Sequence, residues 1–255
     1  MNYSNTLFYL ALSGTILVSS CKKDETTDNN TSNLPSANSP ATPQPSDAGG
    51  VCAAVKTVTY QTVPIIGQQE IILGLGVAGF WEEQGTYIDG GTVKCNNTAL
   101  KKFDNNAYTN EISQTNITGI DFGNSDVTWD VTGAANVTAF NKVDNTNWPA
   151  SPQIDLSGST VSHSSAFSFN LVSPIYSADS VLFTIAGGSG NVTLQKTVAG
   201  SASGSVPFTQ AEMNTIGTGS GIIQVAAYNY TSETFGGRKV YFVKETVNTK
   251  TVTFN

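Results

Sequence analysis

The chain has 255 residues, a formal net charge of −7 and only 12% charged residues, a length that fits one or two domains. It carries a single arginine, Arg238, and no dense lysine cluster. The basic stripe that displaces counterions from phosphates is therefore missing, which argues against nucleic acid as a partner.

Residues Thr6–Val18 read TLFYLALSGTILV, an uncharged and mostly apolar run of 13. A transmembrane helix needs about 20 apolar residues, whereas a signal-peptide core is shorter. Val18-Ser19-Ser20-Cys21 follows. An aliphatic residue three before a cysteine, then two small residues, resembles the lipobox of bacterial lipoproteins. The resemblance implies that residues 1–20 are a signal peptide and that Cys21 is the acylated first residue of the mature chain, held to the membrane by its lipid. Met1–Asn5 contains no Lys or Arg, a departure from the pattern. The alternative is a buried N-terminal strand with a chance cysteine; the abrupt change of composition at Cys21 favours the leader. Lys22-Lys23-Asp24-Glu25 resembles the surface-export signal of Bacteroidota lipoproteins, which implies an outer-membrane protein facing outward. The other reading is a charged tether start on the periplasmic face.

Residues 21–50 show no apolar periodicity and have prolines at 35, 40, 43 and 45. Such a segment cannot bury enough apolar area to offset its ordering entropy, so it is expected to be a disordered tether, partly extended by its prolines.

From Val51 the pattern is strand after strand, with Ser, Thr, Asn and Gly at turns and strand faces. Strands are expected at Lys56–Val63, stopped by Pro64, at Glu70–Val77, Thr92–Cys95 and Asp126–Val131. The two prolines in Trp148-Pro149-Ala150-Ser151-Pro152 read as a connector. This divides the body into a β-rich domain at 51–150 and a second domain at 151–255. In the second, strands are expected at Ala166–Val172, Ser180–Ile185, Val192–Leu194, Ile222–Tyr230, Lys239–Val243 and Thr249–Phe254. Thr209-Gln210-Ala211-Glu212 has capping-box spacing and predicts one short helical turn, with Met213 and Ile216 inward. The fold class is thus all-β, two consecutive β-sandwiches. The second half resembles an immunoglobulin-like or fibronectin-type-III-like sandwich, a likeness of pattern that many families share.

Once Cys21 is spent on lipid, Cys52 and Cys95 remain. An even pair in an oxidising compartment is a disulfide candidate, worth roughly 4 kcal/mol on the chain-entropy model; two buried thiols are the alternative.

Candidate chemistry is sparse. His163 is the sole histidine, and its polar turn lacks the glycines of a nucleophile elbow. Zinc would need three or four His or Cys ligands, so no metal or cofactor is expected. Calcium takes oxygens alone, and Asp121–Asp126 and Asp144–Asn147 could supply them, though both read as ordinary Asx turns. Glu82 and Glu83 are adjacent, and neighbours on a strand point to opposite faces, which weakens a paired-carboxylate glycosidase. Trp129 reads as core, with Val127 and Val131 on its face. Trp81 and Trp148 sit beside loops; each is a candidate ligand platform for a sugar ring or a cover over a sandwich end. Asp179-Ser180-Val181 resembles a short O-glycosylation signal of secreted Bacteroidota proteins, although Val181 reads better as core. The sequence thus points to a tethered, non-enzymatic binding or adhesion module contacting glycan or an envelope protein. The alternatives are a structural subunit of a surface complex and a glycan-active hydrolase.

Overall fold

A computed structural model describes residues 47–63, 67–82, 86–113 and 116–255. The expected signal peptide, Cys21 and the tether as far as residue 46 lie outside these residues. In chain order the strands are β1 (Gly50–Val63), β2 (Gly67–Trp81), β3 (Tyr87–Ile88), β4 (Val93–Cys95), β5 (Thr98–Ala99), β6 (Lys101–Lys102), β7 (Tyr108–Thr109) and β8 (Val127–Val131). There follow β9 (Phe140–Asp144), β10 (Thr160–Val161), β11 (Phe167–Phe169), β12 (Ser180–Gly187), β13 (Val192–Ala199), β14 (Val206–Phe208), β15 (Gly219–Phe235) and β16 (Arg238–Phe254). The helix α1 (Gln210–Ile216) precedes β15. Among the described residues, the regular structure is all strand apart from this short helix.

A ten-stranded sheet in the order β13-β12-β15-β16-β1-β2-β7-β6, with β10 beside β16 and β3 beside β2, runs the length of the molecule. It draws strands from both sides of the 148–152 connector. The join is the parallel pairing of β1 with β16, from Gly50 opposite Val240 to Val58 opposite Asn248. Two smaller sheets, β5-β4-β8-β9 and β11-β14, pack on it.

Side chains alternate across a strand, and β16 uses this over its whole length. Val240 and Phe242 enter one core, with Cys52, Ala54, Ala78 and Phe80 facing Val93, Cys95, Val127, Trp129 and Val131 of the four-stranded sheet. Val252 and Phe254, on the same face, enter a second core with Val181, Phe183, Ile185, Ile223 and Val225. Phe169, Phe208, Met213 and Ile216 close that core from the other side. These are the two sandwiches, laid end to end on one sheet. The opposite face of the sheet carries a third apolar cluster that includes Val55, Val77, Tyr228, Val243 and Val247.

The sequence pattern suggests separate strands at Lys239–Val243 and Thr249–Phe254; the structure makes them one. The polar stretch between them stays extended because its residues find partners. The Lys244 ammonium donates to Thr146 O at 2.7 Å, the Thr246 hydroxyl to Ala150 O at 3.1 Å and the Lys250 ammonium to Leu156 O at 3.1 Å. Asn248 accepts from Ile154 N and donates to Val58 O. Lys244, Thr246, Asn248 and Lys250 thus hold the connector and its flanks to this strand.

Asp47–Gly50, assigned to the tether by composition, belong to the fold. Gly49 N donates to Lys239 O at 2.8 Å, and the Asp47 carboxylate accepts from Lys239 at 2.7 Å and Tyr241 at 3.0 Å. The β15–β16 hairpin closes through Gly236 (φ 56°) and Gly237 (φ 84°), the positive-φ pair that a two-residue turn of matching twist requires. At α1, Thr209 and Glu212 make the expected reciprocal capping bonds.

Phe242 lies in T-shaped contact with Phe140 at 5.9 Å and Phe235 at 6.2 Å. Phe242→Ala should cost roughly 3–5 kcal/mol in denaturant unfolding. Glu245, paired in register with Tyr228 on the third-cluster face, is pushed up to about 8 by burial, with the Tyr228 hydroxyl opposing the rise. A carboxyl raised in the folded state contributes stability that is complete below its unfolded value and is lost as pH rises through about 8. The stability difference between wild type and Glu245→Gln should thus grow from pH 5 to pH 9, in favour of the variant, in urea titrations.

Candidate functional site

Trp81 ends β2 and lines an open cleft of about 410 Å³ with Asp47, Gly49, Glu82, Arg238 and Lys239. The cleft forms because the start of the fold, the end of β2 and the β15–β16 turn meet at one end of the long sheet. Its cations are engaged. Arg238 donates to the carbonyls of Gly49, Trp81 and Asn136, and Lys239 pairs with Asp47. The Trp81 ring is 7% exposed and meets Tyr87 edge-on at 6.0 Å, so it is a wall of the cleft rather than a flat platform. Glu82 is exposed at the rim, and Glu83 lies outside the described residues.

Trp148, 67 residues further along the chain, covers the edge of the first core. It packs on Phe122 at 5.4 Å and donates through Nε1 to Ser125 O at 3.1 Å. Two ammonium groups face its ring, Lys56 at 3.8 Å and Lys244 at 5.5 Å. Such contacts are worth more when desolvated, and both lysines are buried. Burial lowers the pKa of each, and for Lys56 the nearby Lys244 lowers it further.

The same two lysines reach into the loops of the calcium reading. Lys56 donates to Gly123 O and lies 3.4 Å from Asn124 Oδ1, while Lys244 donates to Ser125 O at 3.4 Å and Thr146 O at 2.7 Å. Four oxygens of the two loops, Gly123 O, Asn124 Oδ1, Ser125 O and Thr146 O, thus accept from ammonium groups of the chain itself. The loops are Asx turns, with Asp121 accepting from Gly123 N and Asp144 from Thr146 N. Among the described residues no group of three His, Cys, Asp or Glu is placed to hold a metal ion.

Trp129 is fully buried in the first core. His163 donates through its backbone N to Asn255 O, and its Nδ1 has no hydrogen-bond partner. Ser180 is fully buried, which closes the O-glycosylation signal to any enzyme acting on the folded chain.

What the sequence pattern missed is a group of exposed isoleucines on β2 and the segment beside it, toward the β1–β2 hairpin. Ile71 is 46% exposed, Ile72 40% and Ile117 71%. Beyond Val58 the β1–β2 hairpin leaves β16, so its end is a two-stranded arm. The 116–120 segment runs beside β2 through a parallel bridge, Gly74 to Gly119, which brings Ile117 into line with Ile72. The signal was present in the run Glu70-Ile71-Ile72, where two adjacent isoleucines cannot both face one core.

Cys52 and Cys95 are free rather than bridged, and both are buried in the first core. They stand on opposite layers of the sandwich, β1 and β4, as small apolar side chains. Burial pushes both thiols well up, which keeps them in the unreactive protonated form. In a Cys21→Ser background, neither thiol should react with a disulfide reagent in the native protein, and both should titrate after denaturation. Absence of thiol in denatured, unreduced protein would establish a bridge instead.

No family model matches the chain, and no curated protein matches it. Among solved structures, a tetra-tandem repeat from the extending region of a large adhesion protein aligns with 80% of this chain and 49% of its own length, at 12% identity and a TM-score of 0.26.

Proposed function

We propose that the chain is a lipid-anchored envelope protein that works as a non-enzymatic binding or adhesion module. The observation that carries this reading is the polarity of the folded body. The chain joins the long sheet at Asp47–Gly50, beside the β15–β16 turn. From there β1 runs 14 residues to the opposite end, about 45 Å at the rise of a strand. The exposed Ile71 and Ile72 pair with Thr59 and Val58 on the way to that end, about 30 Å from Gly50, with Ile117 on the segment beside β2. A body anchored through Cys21 then presents its aliphatic arm outward. Exposed apolar patches on a folded protein mark contact surfaces, and a hairpin arm offers unpaired strand edges for the same purpose.

The lipid anchor rests on the lipobox resemblance, and surface display on the Lys-Lys-Asp-Glu run that follows Cys21. The ligand class this geometry suits is an apolar or extended protein segment of the envelope. Trp81 and Trp148 are held as a wall and a cover, so a sugar ring has less to stack on than the sequence suggested.

The test has two arms. Cys21→Ala should abolish incorporation of labelled palmitate and release the protein from membranes; retained label would refute the anchor. Ile71→Asp with Ile72→Asp should leave the circular dichroism spectrum unchanged and lower attachment of protein-coated beads to intact cells of the source bacterium at least about tenfold. That corresponds to about 1.4 kcal/mol of lost contact. Unchanged attachment would refute the role of the arm.

A further inference from the structure

We propose that Lys56 and Asn124 join through an isopeptide bond, a covalent staple between the long sheet and the first sandwich. The two residues are 68 apart in the chain, and the Lys56 Nζ lies 3.4 Å from Asn124 Oδ1, which places the amine beside the carboxamide carbon. Lys56 also donates to the carbonyl of the preceding residue, Gly123. That second bond fixes the ammonium against this loop, so the pair is held rather than met by chance.

Three features of the surroundings favour reaction. Lys56 is 4% exposed and the face of Trp148 covers its Nζ at 3.8 Å. The ring contact favours the cation, but desolvation by burial outweighs it and raises the fraction of neutral, nucleophilic amine. Lys244 reinforces this by its like charge. Asp121 is near enough to act on Lys56 by its own charge and is tied to the loop by accepting from Gly123 N at 3.0 Å. Its charge favours the ammonium, and in the proposed step it is the group that carries a proton between the two nitrogens. Asn124, in contrast, is exposed, so the leaving group has a way out.

The step balances without any co-reactant. The Lys56 ammonium passes one proton to Asp121. The free amine then attacks the Asn124 side-chain carbonyl carbon, forming a C–N bond. As the tetrahedral centre collapses, the bond to the original amide nitrogen breaks. That nitrogen takes one proton from the attacking amine and one from Asp121, and departs as ammonium. A charged lysine and a primary amide become a secondary amide and an ammonium ion. Nothing is oxidised and no water is consumed.

Such a bond would lock the loop carrying Asp121–Asp126 to β1, at the point where the connector and both lysines converge. For a body that transmits tension between an anchor and a contact surface, a covalent tie across the sheet resists shear in a way that hydrogen bonds do not. This role rests on the proposed function, but the bond itself does not.

The experiment is tryptic digestion of the purified, denatured and reduced full chain, read by mass spectrometry. A joined Lys56 resists trypsin, so the expected product is peptide 24–94 carrying peptide 103–142 as a branch, lighter than their sum by one ammonia. Asn124→Ala should give peptides 24–56, 57–94 and 103–142 separately while keeping the wild-type circular dichroism spectrum. Asn124→Asp should restore the branched product with loss of water instead. Quantitative release of the three separate peptides from the wild type would overturn the proposal, whatever the binding assays show.

Discussion

The structure depends on one extended strand with two kinds of residue on the same face. The ends of β16 are apolar and enter two different cores through Val240 and Phe242 at one end and Val252 and Phe254 at the other. Its middle is polar on that face, with Lys244, Thr246 and Asn248 buried. An unpaired polar group in such a place would cost about 1–3 kcal/mol. The connector removes this penalty by presenting the carbonyls of Thr146 and Ala150 and the amide of Ile154. The strand therefore fixes the spacing of the sandwiches and the path of the chain between them together.

A second consequence concerns charge. The chain is acidic and contains two Asx-rich loops that could gather around a hard cation. Lys56 and Lys244 fill that role from within, each reaching backbone oxygens on one side and the Trp148 face on the other. The cost is desolvation of two like charges close together, which is why the pKa of each is lowered. Only the combined hydrogen bonds and ring contacts make such a pair tolerable.

Function follows from the direction in which this scaffold points. One end gathers the start of the fold and a cleft whose cations are already paired, and exposed isoleucines stand on β2 toward the β1–β2 hairpin. In the proposed reading, the anchor and the contact surface would be separated along β1. The proposed staple lies between the two ends, on the line along which force would pass.

Much of this was legible from the amino-acid order. Alternation located the strands, Pro64 ended β1, the Thr209–Glu212 spacing gave the helix cap, and Trp129 declared itself core by its valine neighbours. The leader resemblance and the polar tether are likewise matters of sequence alone. These are local properties, set by side-chain period, turn chemistry and composition within a few residues. What only the tertiary structure decided depends on pairs far apart in the chain. The parallel pairing of Gly50–Val58 with Val240–Asn248 makes one sheet serve both halves. The meeting of Lys56 and Lys244 at Trp148, the free thiols of Cys52 and Cys95 in one core, and the alignment of Ile117 with Ile72 belong to the same class. No local pattern encodes such contacts, because which distant strand a sheet edge accepts is settled by the burial and hydrogen bonding of the whole fold.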